Sequence, residues 1–212
     1  MAPLGRATRR ASLVQTTDVT GIVLAGGRSR RFGRDKLREA YRGTSILSHT
    51  VLRMGEVCGD IVVVLAPKAA EPELPPDPRV RFARDTVEGQ GPLAGVDAGL
   101  LACSTEVALV AGGDMPELSP LVLAQMLEVI ADGAVDAVAL RDGDRLRPLP
   151  CVLRVDRAEQ IARALLGDGE RRLRALLEAL RTTGIDDRTW CAVDPARRTL
   201  FDVDEPGDLE DR

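Results

Sequence analysis

Short runs of β-branched and aliphatic residues alternate with longer amphipathic segments along most of the chain. Such runs predict buried strands, because a strand that is covered on both faces is hydrophobic throughout rather than at every second position. The predicted strands are residues 21–25, 61–65, 80–83, 106–111, 134–140 and 200–203.

Between these runs, apolar residues recur at helical spacing. The predicted helices are residues 45–57, 93–103, 119–131, 155–166 and 170–180, with a short helix after Pro206. Alternating strands and helices predict a single-domain α/β protein, a three-layer α/β/α sandwich with a mostly parallel sheet. Ligands of such sheets bind at the carboxyl ends of the strands, so we expect functional residues directly after Ala25, Leu65 and Ala111.

The first residues differ from the rest of the chain. Residues 1–18 carry arginines and no acid before Asp18, and they predict a flexible basic tail ahead of a domain at 19–212. No apolar stretch follows the arginines, so a secretory signal is not predicted. The longest apolar run, residues 61–66, is far below the about 20 residues that cross a bilayer. We therefore expect a cytoplasmic protein that makes no contact with a membrane.

Composition limits the kinds of partner, metal site and active site that the chain can have. With 212 residues, 44% hydrophobic and 29% charged, the chain suits one globular domain, and its net charge of −4 disfavours nucleic acid as a partner. The four cysteines lie at least forty residues apart, which argues against zinc or redox motifs and predicts free thiols. The single histidine, His49, falls in a predicted helix, which excludes histidine-based triads and metal sites.

A glycine-rich loop with several cations follows the first predicted strand. It reads Leu-Ala-Gly-Gly-Arg-Ser-Arg-Arg-Phe-Gly-Arg-Asp-Lys over residues 24–36. Glycines allow backbone N–H groups to approach a phosphate, and Arg and Lys neutralise its charge. The loop has neither the Walker A nor the dinucleotide-binding glycine pattern. From the residues alone, a phosphate cradle and an exposed basic loop both remain open.

Acidic residues follow two later predicted strands. Asp114 lies in Gly-Gly-Asp-Met-Pro, where it could bind Mg²⁺, an ion that takes one or two carboxylates and completes its shell with phosphate oxygens and water. An aspartate that bonds its own turn is the alternative. Asp204 could share that cation or cap the closing helix. The segment at residues 89–95, Gly-Gln-Gly-Pro-Leu-Ala-Gly, predicts a rim for a base or phosphate, or a tight strand-to-helix connection.

In this order, the segments resemble nucleotidyltransferases that act on sugar phosphates and cofactors, and more narrowly the molybdenum cofactor guanylyltransferase family. The family pattern L-A-G-G-x-x-x-R-(M/F)-G-x-D-K matches residues 24–36, G-P-L-A-G matches 91–95, and D-x-P matches 114–116. A G-E-R-(R/K) segment, residues 169–172, narrows the resemblance to this family. The resemblance covers roughly residues 20–209 and implies a Rossmann-like nucleotidyltransferase fold.

The resemblance also implies transfer of GMP from GTP to molybdopterin, with Mg²⁺ as cofactor and pyrophosphate as leaving group. It assigns nucleotide binding to Leu24, Ala25, Gly26, Gly27, Lys36, Asp85 and Asp114. It assigns catalytic roles to Arg31, Lys36 and Asp114, with Asp114 as metal ligand and Asp204 as candidate second acid. Candidates for the pterin side are Arg147, Arg171 and Arg172. Transient contacts with proteins that deliver molybdopterin or receive the product are expected.

Two places differ from the family pattern. Leu65 stands where the family often has Asn, and the closing N-x-N-T-P is here Asp-Val-Asp-Glu-Pro, residues 202–206. Two carboxylates near a phosphate repel it unless a cation or arginines compensate. Two alternatives therefore stay open: a CTP-dependent cytidylyltransferase, which the Leu-Ala-Gly-Gly opening disfavours by resemblance, and a non-catalytic carrier of molybdopterin or nucleotide.

Overall fold

The computed structural model describes residues 16–26, 35–77, 79–85 and 91–209. Within these ranges the strands, in chain order, are β1 (Thr16–Leu24), β2 (Ala40–Tyr41), β3 (Thr44–Ser45), β4 (Cys58–Leu65), β5 (Val80–Arg84), β6 (Val107–Gly112), β7 (Ala137–Asp142), β8 (Arg145–Arg154) and β9 (Thr182–Ile185). β2 and β3 pair as a hairpin, and the described remainder forms one sheet in the order β5-β4-β1-β6-β8-β7-β9.

The helices are α1 (Ile46–Gly55), α2 (Pro92–Leu101), α3 (Pro120–Ala131), α4 (Val155–Gly167), α5 (Leu173–Ala179) and α6 (Asp187–Trp190). Short 3₁₀ helices occur at Lys36–Arg38, Arg198–Leu200 and Pro206–Leu209. None of the helices in the described part of the chain is both long and apolar enough to cross a membrane.

The strand directions bring the strand ends at which we expect functional residues to one edge of the sheet, here called the functional edge. β5, β4, β1 and β6 are parallel, and Leu24 lies level with both Val64 and Gly112, so their carboxyl ends share an edge. β8 runs antiparallel to β6 and β7, and its first residue, Arg145, pairs with Asp142 at the end of β7. The start of β8 therefore reaches the same edge. The predicted mostly parallel sheet is confirmed.

Hydrophobic side chains project from both faces of the sheet and pack against helices on each side, which produces the three predicted layers. Along β1, Ile22 belongs to the apolar cluster packed with α2, α4 and α5, whereas Val23 belongs to the cluster packed with α1 and α3. Both side chains are fully buried. Because neighbouring residues of a strand point to opposite faces, a continuous apolar run can supply both cores.

Most predicted elements are found with shifted ends, and β8 was missed. Its Pro148 and Pro150 argue against a strand, since proline cannot donate to the ladder. The structure places both between Arg147 and Cys151, where the register with β7 is broken by a bulge. The Gly-Asp turn at residues 143–144, with Gly143 at a positive φ of 59°, was the available signal of a hairpin.

The predicted strand at 200–203 is wrong. Residues 198–200 form a 3₁₀ helix, and the segment that follows crosses the functional edge, where Val203 N donates to Asp114 O at 2.9 Å. β9 takes the edge position beside β7 instead. The helix predicted from 170 begins at Leu173, because the Glu170 carboxylate accepts hydrogen bonds from the N–H groups of Arg171 and Arg172.

β1 also begins earlier than predicted. It starts at Thr16, inside the expected tail, whose residues 1–15 lie outside the described ranges. Thr16 is paired with Cys58 at the start of β4, and the register shifts before Thr20.

Candidate active site

The three predicted strand ends do meet along one edge. Ala25 N donates to Val64 O at 2.8 Å, and Gly113 N donates to Leu24 O at 2.9 Å. Asp85 is tied in the same way, because its N–H donates to Leu65 O at 2.9 Å. These bonds extend the parallel ladder one residue past the strands, so the backbone around Ala25 is fixed beside the residues that follow β4 and β6.

Lys36 is the centre of the side-chain cluster at this edge. Its Nζ lies 2.8 Å from Asp114 Oδ2, donates to Val203 O at 2.7 Å and lies 3.5 Å from Asp204 Oδ1. The Lys36 side chain is only 15% exposed. Asp35 positions it by accepting a hydrogen bond from Leu37 N at the start of the 3₁₀ helix. One ammonium thus connects three distant segments of the chain.

The position of Asp114 depends on a hydrogen bond to its backbone carbonyl and on the missing side chain at Gly112. A Cβ at Gly112 would overlap Asp114 Oδ1, so glycine at this position leaves the space that the Asp114 carboxylate occupies. Val203 N fixes the Asp114 carbonyl, and the side chain stays 28% exposed. The carboxylate therefore faces the edge and can reach a bound ligand.

The carboxylates suit a divalent cation that is shared with substrate phosphates, rather than one enclosed by protein ligands alone. Among the described residues no group of three or more His, Cys, Asp and Glu could form a protein cage for a metal. Mg²⁺ is usually held by one or two carboxylates together with substrate phosphates and water, and Asp114 with Asp204 matches that donor set. At the closing turn, the Asp208 carboxylate accepts hydrogen bonds from the N–H groups of Asp204 and Glu205.

Asp202 lies between these groups and an arginine. Burial, together with the charge of Asp114, raises its pKa to about 6, while Arg147 opposes the rise. Arg147 Nη2 lies 3.7 Å from Asp202 Oδ2. Each carboxylate that replaces a family amide therefore has a cationic neighbour, Arg147 beside Asp202 and Lys36 beside Asp204.

Arg171 and Arg172 have different hydrogen-bond partners from Arg147. The carbonyl of Arg171 accepts from Leu93 N at 3.3 Å and abuts Gly91, whose φ of +84° and missing Cβ allow the approach. Glu170 binds the Arg172 guanidinium through both carboxylate oxygens, and this pairing lowers the pKa of Glu170 to about 2. These contacts attach the G-E-R-R segment to the start of α2. Among the described residues no hydrogen bond or ion pair joins the segment to Arg147, although Arg174 in α5 donates to Leu146 O at 3.2 Å.

Two predicted residues cannot be placed. Gly27 and Arg31 lie outside the described residues, as does the loop at 86–90. His49 and the cysteines are placed, and none joins the cluster around Lys36. His49 is in α1, with Nε2 2.7 Å from Tyr41 O, and the four cysteines are free thiols. Burial raises the pKa of Cys58 and Cys151 to about 12.

The sequence prediction missed Glu117. This buried carboxylate accepts from Tyr41 Oη at 2.5 Å and pairs with Arg42 at 3.1 Å and Arg198 at 3.5 Å. It therefore joins the β2–β3 hairpin, which follows Lys36, to the C-terminal segment. The available signal was an acid three residues after Asp114, before an apolar helix, but its partners are more than seventy residues away.

Comparisons with known proteins agree with this geometry. The family described as MobA-like NTP transferase domain matches residues 21–183. A protein of Chloroflexus aggregans named probable molybdenum cofactor guanylyltransferase is 34% identical over 197 residues, which are 91% of this chain and 92% of the relative. A protein of the same name from Mycobacterium tuberculosis is 35% identical over 192 residues, 85% of this chain and 91% of the relative.

Solved structures share the fold. Molybdopterin-guanine dinucleotide biosynthesis protein A from Archaeoglobus fulgidus superposes with a TM-score of 0.71 at 22% identity, covering 90% of this chain and 95% of that one. The 2-C-methyl-D-erythritol 4-phosphate cytidylyltransferase of Thermus thermophilus superposes with a TM-score of 0.63 at 18% identity, covering 89% and 94%. At these identities the similarity shows the α/β nucleotidyltransferase fold, which confirms the predicted fold class.

Proposed function

The chain belongs to the family of MobA-like NTP transferase domains, and from this premise we propose that it is a molybdenum cofactor guanylyltransferase. It transfers GMP from GTP to molybdopterin and releases pyrophosphate. The observation that carries the proposal is the cluster in which Lys36 Nζ contacts Asp114, Val203 O and Asp204 at the carboxyl edge of the sheet.

The reaction is an in-line displacement at phosphorus. An oxygen of the acceptor phosphate forms a bond to the α-phosphorus of GTP, and the bond from that phosphorus to the bridging oxygen of pyrophosphate breaks. The bridging oxygen leaves with the electron pair. An ionised phosphate needs no general base, which agrees with a cluster that contains no histidine. Catalysis therefore consists of positioning and of stabilising negative charge.

Lys36 supplies fixed positive charge in this scheme. Its ammonium is largely buried and already oriented by Asp114 and the Val203 carbonyl, so little reorganisation is needed when a phosphate arrives. It would stabilise the charge that develops on the α-phosphate and the leaving pyrophosphate. Arg31 is assigned a supporting role on the phosphates by the sequence pattern alone.

Mg²⁺ would be held by Asp114, with Asp204 as second acid, and would offset the charge of the triphosphate. Nucleotide binding is assigned to the backbone of residues 24–27 and to Asp85. Arg147 is assigned to the acceptor, since it lies beyond Asp202 on the other side of Asp114. We also assign the protein to the cytoplasm, where free thiols are maintained, and expect transient contact with proteins that deliver or receive the cofactor.

Thermal stability with bound nucleotides tests the proposal. GTP with Mg²⁺ should raise the melting temperature, because a ligand that binds only the folded state stabilises it by mass action. CTP, ATP and UTP should have much smaller effects. The variant Asp114→Asn should lose the shift that depends on Mg²⁺.

The matched control is Asp132→Asn, which removes an exposed carboxylate at the end of α3 and should keep the full shift. A shift that CTP alone produces would replace the guanylyltransferase with the cytidylyltransferase. No shift with any nucleotide would support the carrier alternative and reject the enzyme.

A further inference from the structure

Glu117 is a buried carboxylate that the proposed reaction does not use. It follows Asp114 by three residues, in the segment Asp-Met-Pro-Glu over residues 114–117, and its side chain is only 5% exposed. A charge at such a position costs free energy unless hydrogen-bond donors and opposite charges surround it. The partners of Glu117 therefore show what this carboxylate stabilises.

One oxygen of Glu117 binds the hairpin that follows Lys36. Tyr41 Oη donates a hydrogen bond to Glu117 Oε1 at 2.5 Å, and Arg42 Nη2 lies 3.1 Å from the same oxygen. Tyr41 ends β2, five residues after Lys36, and Arg42 begins the turn to β3. The carboxylate thus fixes the stretch of chain that comes directly after Lys36.

The turn of this hairpin depends on such a partner. Arg42 has a φ of 45°, in the left-handed region, which is unfavourable for a side chain as bulky as arginine. Gly43, at a φ of 91°, completes the two-residue connection between Tyr41 and Thr44. The Glu117 carboxylate and the Tyr41 ring, whose centroid lies 5.3 Å from Arg42 Cζ, hold the arginine in this conformation.

The other oxygen of Glu117 faces the C-terminal segment at residues 198–204. Glu117 Oε2 lies 3.5 Å from Arg198 Nε, at the start of the 3₁₀ helix that opens this segment. Val203, five residues later, is fully buried and belongs to one apolar cluster with Tyr41 and Ile46. Glu117 therefore bridges two segments that also pack against each other.

The same two segments meet again at the Lys36 ammonium. Lys36 lies just before the hairpin, and its Nζ donates to Val203 O at 2.7 Å and lies 2.8 Å from Asp114 Oδ2. A shift of the hairpin displaces the donor, and a shift of the C-terminal segment displaces the acceptor. Hydrogen bonds weaken steeply when their geometry departs from the optimum, so either shift would loosen the ammonium.

We infer that Glu117 is a positioning residue that acts through Lys36. It holds the hairpin and the C-terminal segment at the separation at which Asp114 and Val203 bind the ammonium. The inference rests on the proposed function, in which Lys36 stabilises negative charge on the phosphates. Glu117 belongs to none of the family motifs in the sequence, and it is assigned no contact with a substrate.

The chain carries its own reporter of the Lys36 environment. Lys36 and Lys68 are its two lysines, and Lys68 is exposed on the segment after β4. Trace acetylation with acetic anhydride at a fixed pH, followed by mass spectrometry, gives the labelling of Lys36 relative to Lys68. In the wild type this ratio should be low, because the Lys36 side chain is only 15% exposed and its ammonium is bound. The measurement requires neither substrate nor turnover.

The test combines this labelling ratio with the steady-state kinetics of GMP transfer in two variants of the full chain. Glu117→Gln keeps the size of the side chain and removes the charge that holds Arg42 and Arg198, whereas Tyr41→Phe removes only a hydroxyl. Each should raise the labelling ratio and lower kcat about tenfold, the effect of losing one hydrogen bond to a charged group. The KM of both substrates should stay within about twofold of the wild type, because no binding contact is removed.

A double-mutant cycle separates positioning from general destabilisation. In the Lys36→Met background, adding Glu117→Gln should lower kcat by less than about twofold, because the group that it positions is already absent. The matched control is Glu56→Gln, which removes a partly exposed carboxylate paired with Arg53 at the end of α1. This control should change neither the labelling ratio nor kcat.

Three results would overturn the inference: an unchanged labelling ratio in the folded variants, an equal loss of kcat in the wild-type and Lys36→Met backgrounds, or an effect on KM alone. Circular dichroism verifies that each variant is folded, and Tyr41→Phe carries the same cycle where Glu117→Gln does not fold. A wild type that forms no guanine dinucleotide rejects the proposed function, whereas the labelling ratio still decides whether Glu117 orients Lys36.

Discussion

The two sides of Asp114 are built in different ways. On one side, here called the nucleotide half, β1, β4, β5 and the start of α2 present backbone groups directly after parallel strands. On the other, the acceptor half, an antiparallel strand and the C-terminal segment bring together Asp142, Arg147, Arg197 and Asp202. In the first half the groups follow parallel strands whose ends can be read from continuous sequence motifs, whereas in the second they are single side chains brought together by an antiparallel hairpin and a crossing segment.

Under the proposed function, this difference accounts for what each half would recognise. Backbone N–H groups after a strand are fixed by the ladder, and they suit phosphates, which every nucleotide carries. Side chains from the β7–β8 hairpin and the C-terminal segment can change independently, and they suit the variable partner of the reaction. Lys36 stands at the junction, because it contacts Asp114 from β6 as well as Val203 and Asp204 from the C-terminal segment.

The largest expected effect comes from breaking that junction. Lys36→Met should lower kcat by about 10²–10³-fold, the range for removal of one preorganised charge-stabilising donor. The KM of both substrates should change much less, because each half keeps its own contacts. Steady-state kinetics with GTP and molybdopterin measures the split.

Lys68→Met is the matched control, since it removes an exposed lysine from the segment after β4, outside the cluster. A folded Lys36→Met protein with near-normal kcat would remove Lys36 from the mechanism and leave the two halves unconnected.

The next largest effect is expected from a variant that changes a backbone conformation and removes no side chain. Gly91→Ala should destabilise the protein by about 1–3 kcal/mol, because its φ of +84° and ψ of 177° are essentially restricted to glycine. The added Cβ would also lie 2.8 Å from Arg171 O. Urea unfolding measures the loss, and GTP affinity should fall with it while acceptor affinity does not.

Gly167→Ala at the end of α4 meets no atom within 4 Å and should not destabilise the chain. Equal stability of both variants would show that the start of α2 is not constrained as described.

A smaller effect concerns the outer strands of the acceptor half. Arg181 forms two charged hydrogen bonds with Asp136 and lowers the pKa of this carboxylate to about 2. Because the folded pKa is below that of the unfolded chain, near 4, the stabilisation is complete above pH 4. It is lost as the pH falls from about 4 to about 2. Asp136→Asn should cost about 1–2 kcal/mol at pH 7, discounted because Arg181 is 70% exposed.

Thermal unfolding at pH 7 and pH 2.5 checks this pair, with Asp132→Asn as the control. The difference between wild type and Asp136→Asn should shrink at the lower pH. A constant difference would assign the stability to packing rather than to the charged pair.

The smallest effect tests where Arg172 belongs. Its guanidinium is 76% exposed, so Arg172→Gln should change one KM by only about two- to fivefold, with kcat unchanged. The family resemblance predicts that the acceptor KM rises. A rise in the GTP KM instead would assign the G-E-R-R segment, which lies beside Gly91, to the nucleotide half. Arg157→Gln, which removes an exposed guanidinium from α4, serves as control.

The nucleotide half could largely be predicted from the sequence, and the acceptor half could not. The strand ends at Ala25 and Asp114 follow from apolar runs and glycines that are contiguous in the chain. Arg147 was identified only through resemblance, and Arg197 was missed, because their proximity depends on the direction of β8 and on a crossing segment predicted as a strand. Local patterns carry no information about such distant pairings, as Glu117 also shows.

The most direct test of the central claim is a competition in which the protein receives Mg²⁺, molybdopterin and equal concentrations of GTP and CTP. Pyrophosphate release and the dinucleotide product are then measured together. The account predicts stoichiometric pyrophosphate and the guanine dinucleotide alone, with both lost in Asp114→Asn. A cytosine dinucleotide, or binding of molybdopterin without pyrophosphate release, would contradict it.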